Sequence, residues 1–389
     1  MATFAQKMRE NRMVAVLFTP LGLIVAMLML FSAVAGLILN EREVLLKAKT
    51  LAEGNKYVIS VDGEHVDMIN DGDLVHISGE ITIDETLLDE QFKMEAYNVV
   101  KLHRVVEMYQ WQEIESTDES GELEYFYERV WSENFIDSSG FVKAKKYKNI
   151  PMLLRGKVIN AKNVNLGDFI LPDNIVNEMT RYQELPMTEL DFWKAEDNLQ
   201  DLLQDRQSYF DEGSYFVGQN PAVPQIGDLR IRFEVILPET LSVIAKQNGN
   251  KLVSYSTKTG ESIELFRYGT LSAGKMLREA RLSLFFSKLT TRLLFFGLMF
   301  LGVYVIFNVL WIAKTSLVFF GNPTYSVGWL LSLIISIMLT FITIWLAWKD
   351  YNPTAGGILL VAALAPLYLL RYARKKPQLV PEKVVPQKV

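Results

Sequence analysis

VVKLHRVVEMYQWQEIES, residues 99–116, decides whether this chain is organised around a catalytic centre or around a sheet. It mixes a histidine, glutamates and a tryptophan, as a site does, and it alternates, as a strand does. Odd positions place Val105, Glu107, Tyr109 and Trp111 on one face. Even positions place Val106, Met108 and Ile114 on the other, the period of two that a half-buried strand requires. STDESG (Ser116–Gly121) has turn composition, and ELEYFYERVWSENFI (Glu122–Ile136) resumes β-branched and aromatic residues. The expectation is a hairpin with aromatics on both arms, where each cross-strand pair contributes roughly 0.2–1 kcal/mol. Structure alone then accounts for the stretch.

Outward from it, residues 40–290 read as one β-rich domain. NEREVLLKAKTLAEG has helical spacing (Val44, Ala48, Leu51) and ends at Gly54, a natural C-terminal cap. KYVISV and DLVHISGEITI are strand-like, bounded by Gly, Asp and Asn. DNIVNEMTRYQEL and MTELDFWKAEDNLQDLLQD form a helical insert, about residues 173–205, the second helix opening with Thr188 and Asp191 at capping-box spacing. VGQNPAVPQIGDLRIRFEVIL returns to strands, and NGNKLVSYSTKTGESIELFRYGTL reads as a further hairpin. GDLVHISGE (Gly72–Glu80) and GDLRIRFEV (Gly227–Val235) share a Gly-Asp-Leu entry into a strand. That echo is either a duplicated β subdomain or a chance recurrence.

Half of the residues are apolar, and the excess is concentrated at residues 13–39 and in the last third. The class is therefore integral membrane protein. MVAVLFTPLGLIVAMLMLFSAVAGLIL, Met13 to Leu39, carries no charge. Ala33-Val34-Ala35 resembles a signal-peptidase site, but the apolar run is longer than the roughly 7–15 residues of a signal peptide and continues past the site. It reads as a retained anchor. Residues 293–313, 329–348 and 354–370 supply three more spans, the last short and interrupted by Pro366. Trp311, Trp329, Trp345 and Trp348 lie near span ends, where amphipathic rings favour the headgroup region. Four crossings put both termini on one side. The basic start (residues 1–12) and the basic tail (residues 371–389) place that side in the cytoplasm and the β-rich domain outside it. Residues 272–296, SAGKMLREARLSLFFSKLTTRLLFF, fit either an interfacial amphipathic helix or the domain's last helix running into the span. The fold class is thus an α+β membrane protein: four transmembrane α-helices, one N-terminal and three C-terminal, around a large extracytoplasmic domain.

Several chemistries lose their footing. With no cysteines, disulfides, thiolate zinc sites and a thiol nucleophile are excluded. Net charge is −5 without a basic stripe, which argues against nucleic acid as a partner. His65, His76 and His103 show no metal-ligand spacing, and no metal or cofactor is expected. Two of Glu107, Glu113, Glu115 and Glu133 could flank a glycosidic bond, but alternating strands produce such pairs routinely. No GxSxG, Walker A, HExxH or GxGxxG occurs, and no catalytic residue is assigned. Ser332, Ser336, Thr340 and Thr343 give the third span a hydroxyl stripe, open to a channel lining or to helix packing. Gly22/Ala26 and Ser32/Gly36 permit close helix approach, within one chain or between copies.

The assembled motifs resemble a known family. LAEG, GDLVHISG, VVKLHRVVEMYQWQE, FYERVWSENFIDSSGF, NPAVPQIGDLRIRF and VIAKQNGNKLVSYSTKTGE occur in the order found in the transmembrane protein 43 family, also called LUMA, with a similar one-then-three span layout. Between about Lys143 and Phe216 the similarity fades. Glu107, Met108, Tyr109, Trp111, Trp131, Gly227 and Asp228 fall in or beside these motifs and are read as structural positions. The resemblance implies a self-associating multispanning scaffold, with no catalytic motif to carry over. Eukaryotic relatives reside in the endoplasmic reticulum and inner nuclear membrane, linked to lamins and emerin-like partners. The absence of cysteine and of N-x-S/T sequons points instead to a bacterial member, in the inner membrane with a periplasmic domain. Expected partners are the lipid bilayer, further copies of the chain, and other membrane or envelope proteins. An ion channel or channel-regulating assembly is the alternative, ahead of an envelope lipid or glycan enzyme.

Overall fold

The computed structural model describes residues 20–117, 121–203, 206–313, 325–351 and 353–374. Expectations placed on residues 1–19, 118–120, 314–324 and 375–389 lie outside them. The chain divides into two units. One comprises Gly54–Ser256 with Ser262–Met276, and the other Met1–Glu53, Thr257–Glu261 and Leu277–Val389.

The first unit is built on two seven-stranded sheets. Its principal strands are β1 (Leu74–Thr82), β2 (Lys101–Thr117), β3 (Leu123–Ser132), β4 (Lys157–Asn160), β5 (Ser208–Asp211), β6 (Ser214–Val217), β7 (Leu229–Ile236), β8 (Thr240–Asn248), β9 (Lys251–Val253) and β10 (Leu265–Tyr268). The opening stretch is β2, and it forms the expected hairpin with β3, in register from Met108↔Ser132 to Thr117↔Leu123. The alternation holds as well: Leu102, Val106 and Met108 enter the core, with Leu229, Ile231, Phe233 and Val235 of β7 beside them.

The Gly-Asp-Leu echo marks a duplication in the pairing. β1 pairs antiparallel with β8, and β7 pairs antiparallel with β2. On its other edge β2 meets β4 near its start and β3 near its end. β8 meets β10 near its start and β9 near its end in the same way. Each half thus contributes its first strand to the other half's sheet. The turns agree atom for atom. The Gly72 amide donates to the Gln247 carbonyl (2.9 Å) and the Gln247 amide to the Asp73 carbonyl (3.0 Å). The Gly227 amide donates to the Tyr109 carbonyl (2.9 Å) and the Tyr109 amide to the Asp228 carbonyl (2.9 Å). Both glycines are left-handed, φ +91° and +94°, a conformation that a Cβ disfavours.

Between the halves lies the insert, with helices α2 (Asp173–Glu178) and α3 (Glu189–Leu203); a third helix of the chain, α1, precedes the sheets and spans Pro20–Tyr57. α3 buries Phe192, Ala195, Leu199 and Leu203, one helical stripe. Its capping box forms: the Thr188 amide donates to Asp191 Oδ2 (3.1 Å) and the Asp191 amide to Thr188 Oγ1 (3.2 Å). DNIVNEMTRYQEL is helical only in its first half. Met179 turns to an extended conformation, and Gln183–Glu184 joins the edge of β7 as a short strand. Tertiary pairing overrides local helical preference there.

The second unit is helical. α1 runs past the expected cap at Gly54, because the Val58 amide still finds the Gly54 carbonyl at 2.9 Å. α4 (Ala273–Ser287) and α5 (Leu289–Ala313) break at Lys288, followed by α6 (Tyr325–Trp348) and α7 (Pro353–Arg374). Three helical stretches among the described residues are long and apolar enough to cross a bilayer: Leu21–Tyr57, Ala273–Phe307 and Gly328–Trp348. The expected fourth span folds as α7, in which Gly356–Ala365 is the apolar stretch among the described residues. Small residues make α1 fit α5 within the chain. A Cβ on Gly36 would stand 2.4 Å from the Phe295 ring, and one on Gly302 would stand 3.1 Å from the Ala26 carbonyl. Ser332, Ser336 and Thr343 are buried, and each hydroxyl donates to the carbonyl four residues earlier. The stripe is occupied by its own helix.

Candidate functional site

The residues singled out from sequence gather on the outer face of the sheet, where β2 shows its odd positions and β7 its even ones. Glu107 stands opposite Arg230 and accepts from its Nε (3.0 Å) and Nη2 (2.8 Å), and from Arg232 Nη2 at 3.2 Å. Tyr109 stands opposite Trp131, ring centroids 5.1 Å apart. Trp111 stands opposite Arg129, whose guanidinium lies 5.8 Å from the Tyr109 ring and 5.7 Å from the Trp111 ring. The Arg230 guanidinium covers Trp131 at 4.8 Å. The result is a ladder in which Arg230 and Arg129 bracket the Trp131–Tyr109 pair and Trp111 follows, each cation–aromatic contact contributing about 0.5–1 kcal/mol where it is half-solvated. Met108 points the other way, into the core.

One end of the ladder is strapped down. Tyr147 stacks on Tyr127 (3.9 Å) and meets Trp111 edge-on (4.8 Å). Asn149 pairs with the Trp111 backbone both ways, accepting at 2.7 Å and donating at 2.9 Å. On the opposite face of the same hairpin, Ile114 and Phe126 form a cross-strand pair left 38% and 53% exposed.

Gly227 and Asp228 sit at the rim of a cavity of about 620 Å³, lined also by Ile150, Arg206, Gly218 and Gln225. A Cβ on Gly227 would approach Ile150 Cδ1 to 2.3 Å, and one on Gly218 would strike the Asp228 carboxyl. Asp228 accepts the Gln225 amide at 2.7 Å. Burial raises its pKa, opposed by that amide and by Arg206. The arrangement is a turn lock: an aspartate folded back on its own loop.

The candidate chemical groups do not converge. His76 is buried between Ser60 (Nδ1···Oγ 3.1 Å) and the Leu271 carbonyl (Nε2···O 2.8 Å), while His103 lies beside Glu234 at 3.4 Å and His65 is exposed. Among the described residues no group of three or more His, Asp or Glu is placed to hold a metal. Glu107, one of the carboxylates considered for acid–base work, is clamped between the Arg230 and Arg232 guanidinium groups. Sequence reading missed the arginines. RIRF alternates Arg230 and Arg232 onto one face, and that spacing was the available signal.

The profile of the family described as Transmembrane protein 43 matches residues 108–353, from Met108 in the ladder strand to the start of α7. The chain belongs to the transmembrane protein 43 family. It is 28% identical over 352 residues to Transmembrane protein 43 of Rattus norvegicus, and 28% identical over 352 residues to that of Homo sapiens, covering 85% of each chain in both cases. A Transmembrane protein 43 homolog of Drosophila melanogaster is 29% identical over 334 residues, covering 81% of this chain and 84% of that protein. No solved structure matches the chain. The bounds of the Transmembrane protein 43 match enclose residues 143–216, where the motif resemblance fades.

Proposed function

We propose that this transmembrane protein 43 family member is a non-enzymatic membrane scaffold that self-associates and organises partner proteins through its β-rich domain. The observation that carries the reading is the ladder of Arg129, Tyr109, Trp111, Arg230 and Trp131. Tyr, Trp and Arg on rigid strands are the residue types that dominate protein–protein interfaces, because they bring area and directed polar contacts at small entropic cost. The exposed Ile114–Phe126 pair supplies a second apolar contact on the same arm. The hydroxyls of Ser332, Ser336, Thr340 and Thr343 in α6 donate to their own helix, which favours the packing reading of that stripe over the channel alternative. Four crossings, with both termini cytoplasmic and the domain outside, complete the proposal, and the missing cysteines and sequons suit a bacterial periplasm. Of the motif positions, Glu107, Met108, Gly227 and Asp228 act in it as structural supports of the face that Tyr109, Trp111 and Trp131 present.

The test uses the full chain in two differently tagged copies, with a photo-crosslinking residue replacing Arg129 and, as control, Glu95. Discrete chain–chain or chain–partner adducts at position 129, lost on Trp131→Ala, are expected. Monomer alone at position 129, with both tags purifying separately, refutes the scaffold.

A further inference from the structure

At the end of its apolar run, α1 carries Glu41, 0% exposed. Arg292 of α5 holds that carboxylate with two hydrogen bonds (Nε–Oε1 2.6 Å, Nη2–Oε2 2.8 Å), and Trp348 of α6 donates its indole N–H to Oε2 at 2.8 Å. Glu43, one residue beyond Arg42, is paired with both Lys47 and Lys288. Both of these carboxylates are thus already neutralised. Past the clamp, Val44, Ala48 and Ala52, four residues apart, form one stripe of α1. They line an open cleft of about 250 Å³ whose other walls are Leu284 and Phe285 of α4, Trp348 and Tyr351. Alanine at 48 and 52 is what leaves the space. Arg281 also lines the cleft, is exposed, and has no carboxylate partner among the described residues. Lys49 adds a second cation over the Tyr351 ring at 5.5 Å.

We propose that this cleft binds one phospholipid with an anionic headgroup, its phosphate on Arg281 and its upper acyl chain along Val44, Ala48 and Phe285. Three features choose that occupant. The cleft begins where the apolar stretches of α1 and α6 end, at the Trp and Tyr level of the bilayer, so lipid is the solvent that reaches it. Its walls are apolar and its rim is cationic. No acidic residue among those described lines the cleft beside Arg281, and Glu41 and Glu43 are engaged with other partners. A basic pocket between membrane helices is the arrangement that selects an acidic headgroup over a zwitterionic one.

The full chain, purified in a neutral detergent, is titrated with dioleoylphosphatidylglycerol or dioleoylphosphatidylcholine, and retained lipid is counted by native mass spectrometry. One phosphatidylglycerol should be retained about tenfold more tightly than phosphatidylcholine, the scale of one charge-assisted contact. Arg281→Gln should remove that preference and Arg281→Lys should keep most of it. Arg278→Gln, on the same helix but not lining the cleft, should leave it intact. Glycerol phosphate, a headgroup without chains, should not compete. Equal retention of the two lipids, a preference that survives Arg281→Gln, equal loss in Arg278→Gln, or competition by glycerol phosphate each overturns the site.

Discussion

The Arg104 guanidinium lies in the core of the domain, 5.0 Å from the Phe92 ring, with Asp89 accepting from its Nη1 at 2.8 Å and 2.9 Å. Both side chains are buried, and Asp89 Oδ1 also holds the Gln91 and Phe92 amides at 3.0 Å. Removing one partner strands a buried charge, which costs about 3–5 kcal/mol, whereas replacing both costs far less. Asp89→Ala should therefore unfold the full chain at a markedly lower temperature in detergent, and adding Arg104→Met should recover part of the loss. Simple additivity of the two losses would show that the pair is not coupled. His76 offers a pH-dependent counterpart. Burial lowers its pKa below the usual value, opposed in part by the Leu271 carbonyl. Between the folded value and the unfolded value of about 6.5, only the unfolded chain binds the proton. The contribution of His76 is accordingly complete above about pH 6.5 and is lost as pH falls through that window. Thermal unfolding followed from pH 7.5 down to pH 5 should show a falling midpoint, with a shallower slope in His76→Gln; an unchanged slope would remove the histidine as the cause.

At the scale of elements, the two Gly-Asp-Leu turns form a matched pair that separates backbone strain from collision. Gly72 and Gly227 have nearly the same positive φ, but nothing lies within 4 Å of a Cβ on Gly72, while one on Gly227 would meet Ile150. Gly72→Ala should cost about 1–2 kcal/mol, the usual penalty for an L-residue in a left-handed conformation. Gly227→Ala should cost more by the amount needed to move Ile150, and Ile150→Ala should bring the two closer; equal losses at both glycines would mean that the contact with Ile150 is not made. These turns also show what a sequence discloses. The β2–β3 hairpin was readable because period-two alternation and a turn signal are local, and the α3 cap because Thr188 and Asp191 are three residues apart. The echo itself was visible in Gly72 and Gly227. The exchange of first strands between halves was not, because it joins Leu74 to Lys246 and Met108 to Leu229, pairings no local pattern encodes. The spacing of Arg230 and Arg232 was readable, but their pairing with Glu107 was not, for the same reason, nor was the end of α2 at Glu178, because an edge strand captured residues of helical composition.

For the whole molecule the open quantity is the number of crossings, and it has a parity. Among the described residues three helices are long and apolar enough, and α7 shows the shorter apolar stretch Gly356–Ala365. If α7 crosses, by tilting little and drawing on the bilayer's capacity to thin around a short span, the two termini share a side. If it lies at the surface, they are on opposite sides. The basic residues before Met13 and after Leu370 favour the first arrangement, with both ends in the cytoplasm. The cysteine-free chain makes the distinction direct, since a single introduced thiol is the only one present. Thr3→Cys, Ser139→Cys and Gln378→Cys, each alone in the full chain, are treated in intact cells with a membrane-impermeant maleimide. Labelling at Ser139 with protection at both Thr3 and Gln378 is the expected pattern, and it requires four crossings with the β-rich domain outside. Labelling at Ser139 and Gln378 together would put α7 on the membrane surface and leave three crossings. Protection at Ser139 with labelling at the termini would invert the molecule, and the ladder face would then meet its partners in the cytosol.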